Sequence, residues 1–344
     1  MLIIGCDFHS GFQQLAIFDN LTGEFQERKL LHPGEACEFY RVLAEPVLVG
    51  MEAGVPCQWF RRLLSECGHE LWVGDAAKIR AAETRKQKTD RRDAELIMTL
   101  MREERFPRIW MPSEQERDVR QLLMDRHHRM RRQCKAKNQL QALALNQGLQ
   151  KGKKLWSAAG LKQLRELPMM EHAARRRDEL MRVVAELEVQ IAELDVLVRR
   201  QAEGRADAKR LMTHPGVGPQ TALGMVLTLG EVGRFASSKQ VASYLGLVPG
   251  EYSSGNRQRL GRISKQGSSL MRFLLVQAGQ TAVRGDEQLR RAYARLSAKK
   301  NRATAKVMVA RRLAVRLYWM LRNDWTYAQL ARHAGKPGSF CGEQ

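Results

Sequence analysis

Leu2-Ile3-Ile4-Gly5-Cys6-Asp7 and the stretch behind it, Gln14-Leu15-Ala16-Ile17-Phe18, decide how the N-terminal third of the chain folds. Both are apolar runs of strand length, and turn-forming residues 19–23 separate them from a third run, Phe25–Leu31. Connections this short join neighbouring strands antiparallel, so the opening reads as a three-strand meander. Residues 35–43 then read as a helix, 46–51 as a buried strand, 58–67 as a helix and 70–73 as a strand. A further helix starts near Asp90 and runs through Leu96, Leu100 and Met101.

The resulting order over residues 1–110, βββαβαβα, is that of an RNase H-like (RuvC-like) α/β domain. Nucleases built this way hold divalent cations with carboxylates at the end of the first strand, at the end of the strand beside it in space, and on a later helix. Asp7 ends the first strand, Glu52 follows the strand 46–51, and Asp90 and Asp93 open the late helix on one helical face. Thr89 is placed to cap that helix. Taken singly, each acid has an ordinary reading as a turn former or a helix-dipole partner. At the places that one fold requires, the four together read as ligands for Mg²⁺ or Mn²⁺. His9, close to Asp7, is a candidate for contact with a scissile phosphate, while Asp75, Glu83 and Glu95 read as surface acids.

Charge is unevenly placed along the 344 residues, whose formal net charge is +21. Residues 1–110 carry 15 basic and 17 acidic side chains, which leaves 43 and 20 for residues 111–344. The 44 % apolar content excludes a disordered polycation. A positive half of that size repels itself unless it meets a polyanion, so nucleic acid is the expected partner. No run of about 18 apolar residues points to a membrane, and the N-terminus lacks a basic leader, so a cytoplasmic protein is expected. Six cysteines without a CxxC pair support neither a zinc site nor a disulfide framework.

Residues 111–206 read as long helices. Leu180, Val184, Leu187, Ile191, Leu194 and Val198 form a heptad seam, and this seam wants a partner. That partner is either the earlier helix, residues 118–149, folded back on it or the same segment of a second subunit; the Arg-rich composition of the earlier helix favours the second. A mainly helical domain is expected over 207–330 and a frayed tail over 331–344. In it, His214-Pro215-Gly216-Val217-Gly218 resembles the turn of a helix-hairpin-helix element, with Gly216 and Gly218 presenting backbone N–H groups to a phosphate. Downstream, Ser253-Ser254-Gly255 is followed by Arg257, Arg259, Arg262 and Lys265. Chemically this is a basic phosphate-binding loop whose serines are either turn residues or a nucleophile supported by cations.

Several blocks together resemble one family: Ile4-Gly5-Cys6-Asp7, Gly50-Met51-Glu52-Ala53, Lys88-Thr89-Asp90-Arg91-Arg92-Asp93-Ala94, His214 to Gly218, Gly246-Leu247-Val248-Pro249 leading into Ser253-Ser254-Gly255, and Ser264-Lys265-Gln266-Gly267. The chain resembles the DEDD transposases of insertion sequences related to Piv-type DNA invertases, described as bridge-RNA-guided recombinases. The resemblance implies a RuvC-like domain with its acidic tetrad at Asp7, Glu52, Asp90 and Asp93. It also implies a coiled coil for dimerisation and a C-terminal transposase domain whose nucleophilic serine, directly before the glycine, is Ser254.

The expected activity is Mg²⁺-dependent cutting and rejoining of donor and target DNA through a serine, with a noncoding guide RNA as partner and a homodimer pairing into a tetramer on nucleic acid. In a prokaryotic cell such a protein sits at the nucleoid when active. A RuvC-like junction resolvase using water would need the same acids but has little use for the long basic extension. A non-enzymatic nucleic-acid scaffold accounts for the charge but leaves the acidic quartet unexplained. A DEDD exonuclease would carry Asp-x-Glu on the first strand, where Asp7 is followed by Phe8 and His9.

Overall fold

Alternation along the first strand sets the architecture of the N-terminal unit, because successive side chains of a strand face opposite sides of its sheet. In the computed structural model, which describes residues 1–54, 57–83, 89–150, 152–252 and 259–334, the chain divides into two units, one of Met1–Met111 and the other from Pro112 onward. The first unit contains β1 (Leu2–Phe8), β2 (Phe12–Asp19), β3 (Phe25–Leu31), α1 (Gly34–Val42), β4 (Leu48–Glu52), α2 (Gln58–Glu66), β5 (Glu70–Gly74), α3 (Ala76–Ala82) and α4 (Asp90–Arg102). The sheet order is β3-β2-β1-β4-β5, with the meander antiparallel and β1, β4 and β5 parallel. Ile4, Cys6 and Phe8 point to the side where Tyr40 of α1 and Phe60 and Leu64 of α2 pack. Ile3 and Leu48 point to the other side, onto Ala94, Ile97, Met98 and Met101 of α4. The mixed sheet and its meander agree with the sequence reading; α3 is an element that the reading lacked.

Gly5 and Gly50 are paired across β1 and β4, and both lie under α4. A Cβ on Gly5 would come within 2.1 Å of the Ala94 carbonyl oxygen and 2.5 Å of the Met98 nitrogen. At Gly50 it would meet the Met101 sulfur at 2.0 Å. The helix therefore rests almost backbone to backbone on β1 at Gly5, and its Met101 side chain fills the space over Gly50 of β4.

The second unit comprises α5 (Glu114–Asn146), a 3₁₀ turn at Gly152–Trp156, α6 (Ala158–Glu166), α7 (Glu171–Glu203), α8 (Ala206–Met212), α9 (Pro219–Leu229), α10 (Ser238–Tyr244), a two-strand hairpin of β6 (Pro249–Glu251) and β7 (Leu260–Ile263), α11 (Ser269–Gly285), α12 (Glu287–Lys299), α13 (Arg302–Arg322) and α14 (Tyr327–Ala334). Ser113 and Glu116 form a reciprocal capping box that starts α5. Helices α5 and α7 lie antiparallel: Leu123 shares a core with Val198 and Ala202, while Leu140 and Ala144 share another with Val184. The expected heptad seam thus finds its partner inside the chain, which removes the unsatisfied seam as an argument for a second subunit. Two of the arginines that made α5 look a poor partner are used in the pairing. Arg126 grips Asp195 of α7 with two hydrogen bonds of 2.9 and 3.2 Å, and Arg129 reaches Gln190. Residues on either side of 206 share one core, since Val198 and Ala202 pack with Leu211, Leu223 and Leu317.

A buried polar cluster joins three helices of this unit and the turn between α8 and α9. Asp286 caps α12, accepts hydrogen bonds from Arg316 of α13 and from the Tyr327 hydroxyl of α14 (2.9 Å), and is 2 % exposed. The His214 ring stands edge-on to Tyr327, is 1 % exposed and leaves its Nε2 without a partner. Burial pushes its pKa down to about 4, the Pro215 carbonyl acting weakly in the other direction. Because the folded unit holds His214 neutral where an unfolded chain protonates it, stability is full above about pH 6.5 and falls as pH drops from there towards 4, by a few kcal/mol. Urea unfolding across that range should show this slope in the wild type and its loss in His214→Phe; a slope that persists in the variant contradicts the assignment.

Candidate active site

Parity along β1 and β4 delivers two of the four expected acids. Asp7 is two residues beyond Gly5 and Glu52 two beyond Gly50, so both leave the sheet on the α4 side at the carboxyl ends of adjacent parallel strands. Helix α4 brings the other two. Thr89 caps its first turn by accepting from the Arg92 N–H at 3.4 Å, and Asp90 and Asp93 both lie in that turn. Of the two arginines between them, Arg91 turns away to pair with Glu27 of β3 at 3.4 Å.

Asp7 and Asp90 converge on His9. Its Nε2 lies 3.0 Å from an Asp7 carboxylate oxygen and 3.7 Å from one of Asp90, and its ring stacks on Phe12 at 4.6 Å. One ligand atom from each of Asp7, His9 and Asp90 falls within 4.8 Å of the others, close enough for a single divalent ion. Burial raises the Asp7 pKa from the ordinary carboxylate value; His9 works against this, and the negative charges of Asp93 and Asp90 add to it. An anionic cluster whose most buried member is held against its preference for ionisation is what a divalent cation relieves, so the donor set fits one. Glu52 stands apart from that trio and takes a salt bridge of 3.2 Å from Arg80 of α3. Arg80 was absent from the sequence reading because nothing in the periodicity around it marks the helix that carries it.

The glycine and basic residues of the second unit have different fates. Gly216 has φ +81° and sits against α11, where a Cβ would lie 2.3 Å from the Ala282 nitrogen. Close packing therefore explains this glycine without a phosphate. Gly218 is the N-cap of α9, exposed with open space where a Cβ would go. Ser253, Ser254, Gly255 and Arg257 lie outside the described residues. The stem on either side of them is described: the Tyr252 N–H donates to the Arg259 carbonyl at 2.9 Å, and Arg262 and Lys265 are exposed. At the base of the stem two left-handed glycines cross backbones, a Cβ on Gly246 meeting the Gln266 oxygen at 2.2 Å and one on Gly267 meeting the Tyr244 oxygen at 2.2 Å.

Comparison with known proteins joins these two regions. A family model for DEDD transposases of the IS110 type matches residues 5–147, and one described as "Transposase IS116/IS110/IS902 family" matches 208–294. Together they span more than half of the chain. The chain belongs to the IS110/IS116 family of DEDD transposases. The transposase is 29 % identical over 270 residues to a Pseudomonas aeruginosa protein described as "Probable family 20 transposase", covering 75 % of this chain and 77 % of that one. It is 28 % identical over 239 residues to a Yersinia enterocolitica transposase for insertion sequence element IS1328, covering 68 % and 70 %. It is also 28 % identical over 207 residues to a Coxiella burnetii transposase for element IS1111A, covering 57 % and 55 %. Transposases process DNA, and among the described residues of this one no helix is long and apolar enough to cross a membrane. All four acids of the transposase fall within 5–147, and its serine doublet falls within 208–294.

Mn²⁺, which accepts both carboxylate and imidazole, is the probe for the trio. Electron paramagnetic resonance should show Mn²⁺ binding to the wild type and an affinity loss of roughly a hundredfold or more in Asp7→Asn. Equal affinity in the two proteins would place the metal elsewhere.

Proposed function

We propose that this transposase recombines DNA by serine attack, with Asp7, Glu52, Asp90 and Asp93 as one divalent-metal site in an RNase H-like domain and Ser254 as the nucleophile. The observation that carries the reading is the convergence of Asp7 and Asp90, from two separate chain segments, within ligand distance of each other. The strand order β3-β2-β1-β4-β5 with α4 behind β1 and β4 supports the RNase H-like assignment. A Mg²⁺ or Mn²⁺ ion held there supplies Lewis-acid polarisation of the scissile phosphate. His9 is placed to orient Asp7.

Ser254 Oγ forms a bond to phosphorus as the bond from phosphorus to the departing sugar oxygen breaks; the hydroxyl gives up its proton and the departing oxygen gains one. The phosphoserine ester conserves the energy of the broken bond, so rejoining to a new end needs no ATP. The chemistry requires Ser254 and the acids to reach the same phosphate, supplied by one subunit or by two. Gly255, Arg257, Arg259, Arg262 and Lys265 are proposed to hold the DNA backbone around it, and Gly218 to offer the open start of α9.

On this reading the partners are donor and target DNA, a noncoding guide RNA that selects the sites by pairing, and a second copy of the chain, with pairs of dimers forming on nucleic acid; its place is the prokaryotic cytoplasm and nucleoid. Recombination joins two DNA segments at once, which asks for at least two copies. With the α5–α7 seam closed internally, the contact falls to the outer face of α7, where Val189 and Val196, one heptad apart, are 61 % and 67 % exposed.

Incubation with Mg²⁺ and labelled element-end DNA should give a denaturation-resistant protein–DNA adduct. Asp7→Asn and Ser254→Ala should each abolish it, Ser254→Ala while still binding DNA and Ser253→Ala without loss. An adduct that persists in Ser254→Ala and maps to another residue overturns the nucleophile; cleavage without any adduct favours water attack, as in a resolvase. For the assembly, light scattering should find dimers of the wild type and monomers of Val189→Glu/Val196→Glu; a monomeric wild type with and without nucleic acid contradicts it.

A further inference from the structure

The second unit carries a dense run of positive charge that no part of the proposed chemistry uses. Between Arg284 and Arg316, along α12 and α13, the chain carries eleven Lys and Arg and only two acids, Asp286 and Glu287. Both acids are already matched: Asp286 is buried against Arg316, and Glu287 pairs with Arg291 one turn along α12. Nine cations remain. Arg295, Lys299, Lys300, Arg302 and Arg312 are exposed, and none of them meets a carboxylate among the described residues.

Geometry gathers these cations. Helices α12 and α13 pack together over Ala282, Leu289 and Val309, and α13 also buries Ala310, Leu313, Ala314 and Leu317 in the main core of the unit, so its exposed surface is the narrow strip that carries Arg302 and Arg312. On α12, Arg291, Arg295 and Lys299 recur every four residues, a row of about 12 Å along one face. Arg312 on α13 is close enough to Arg295 and Arg316 to feel both charges, and burial and these two cations lower its pKa. Like charges brought together oppose the folded state unless an anion lies over them.

Helix α7 shows the ordinary alternative. Over its length basic side chains alternate with Glu179, Glu186, Glu188 and Glu193, and Arg182 faces Glu186 one turn away. That helix satisfies its own charge; the α12–α13 hairpin does not.

We propose that the outward face of the α12–α13 hairpin, centred on Arg295, Lys299 and Arg312, is a binding site for the phosphodiester backbone of a nucleic-acid double helix. The contact is independent of sequence because side chains that grip phosphate oxygens position a duplex without reading its bases. It is a site separate from the serine segment, and it gives the protein a grip on a duplex that does not depend on the reacting phosphate. The inference rests on the transposase reading only for the origin of that duplex, donor or target DNA or the paired portion of an RNA.

The test uses the full-length protein and fluorescence anisotropy with a 30-base-pair DNA duplex of arbitrary sequence and an RNA duplex of the same length, titrated from about 50 to 200 mM salt. Removing one cation that neutralises a phosphate flattens the slope of log affinity against log salt by about one, so Arg295→Gln/Lys299→Gln/Arg312→Gln should flatten it by about three on whichever duplex is the ligand. A triple variant on α7 with the same charge change, Arg175→Gln/Arg176→Gln/Arg199→Gln, should keep the wild-type slope. All substituted residues are exposed, and circular dichroism melts should match the wild type. An unchanged slope on both duplexes, or equal flattening by the α7 variant, overturns the proposal. Flattening confined to one duplex supports it and identifies the source. A wild type that forms no adduct, together with a hairpin variant that no longer binds duplex, defeats the recombination chemistry and leaves this site standing.

Discussion

Helix α4 lies against the central strands at Gly5 and Gly50, and the arrangement of the acids depends on that contact. Two glycines in register across parallel strands let the helix descend, its backbone meeting the sheet at Gly5 and its Met101 side chain settling over Gly50. Any side chain there would lift it by more than an ångström, and a site built from both partners tolerates displacements of only about half an ångström. The first turn of α4 therefore stands beside the carboxyl ends of β1 and β4 for a packing reason, and Asp90 meets Asp7 and His9 as a consequence. Parity does the rest: the alternation that turns Gly5 and Gly50 towards the helix also turns Asp7 and Glu52 that way.

A comparable device sets the base of the serine segment. Gly246 and Gly267, both left-handed, let two loop backbones cross, and Arg272 fastens the crossing by donating to the Gln266 and Gly267 carbonyls. The Ser264 N–H donates to Val248 at 2.8 Å and continues the β6–β7 stem from there. Pre-set geometry lowers a barrier by removing the entropy of bringing groups together, and a stem anchored on crossed backbones is suited to hold a nucleophile. The same logic revises Gly216. Its place in a phosphate-type motif is real, but the close approach that excludes a side chain there is to α11, which leaves Gly218 as the glycine open to a ligand.

The N-terminal sheet was legible because its strands announce themselves twice, by apolar runs and by the turn residues between them. The acids were legible because they sit at strand and helix ends, which local patterns mark. Arg80 and the internal closure of the heptad seam were not. Arg80 gains its role from a helix of seven residues whose position follows from tertiary packing. The seam between 180 and 198 shows that α7 has an apolar stripe but not whose side chains cover it. The answer lay in polar residues, Arg126 with Asp195 and Arg129 with Gln190, which apolar periodicity does not count. His214 is a further case: within a motif it looked like part of a phosphate turn, whereas its ring is buried against Tyr327.

Electrostatics explains why the two units differ so much in charge. A phosphodiester approaching Asp7, Glu52, Asp90 and Asp93 meets repulsion, and Arg80 is already engaged by Glu52. The near-neutral first 110 residues therefore have no field with which to draw DNA towards the site. Attraction has to come from the residues beyond 110, where 43 basic side chains face 20 acidic ones. Spread evenly over that length, the excess would be partly cancelled by neighbouring acids, as it is along α7. Gathered along the α12–α13 sequence and in the sequence around the serines, it would give local fields strong enough to hold a polyanion, as proposed above. On the proposed reading the division of charge is a division of labour: the first unit gathers carboxylates that a divalent cation would neutralise, and the second carries the positive charge that would attract DNA.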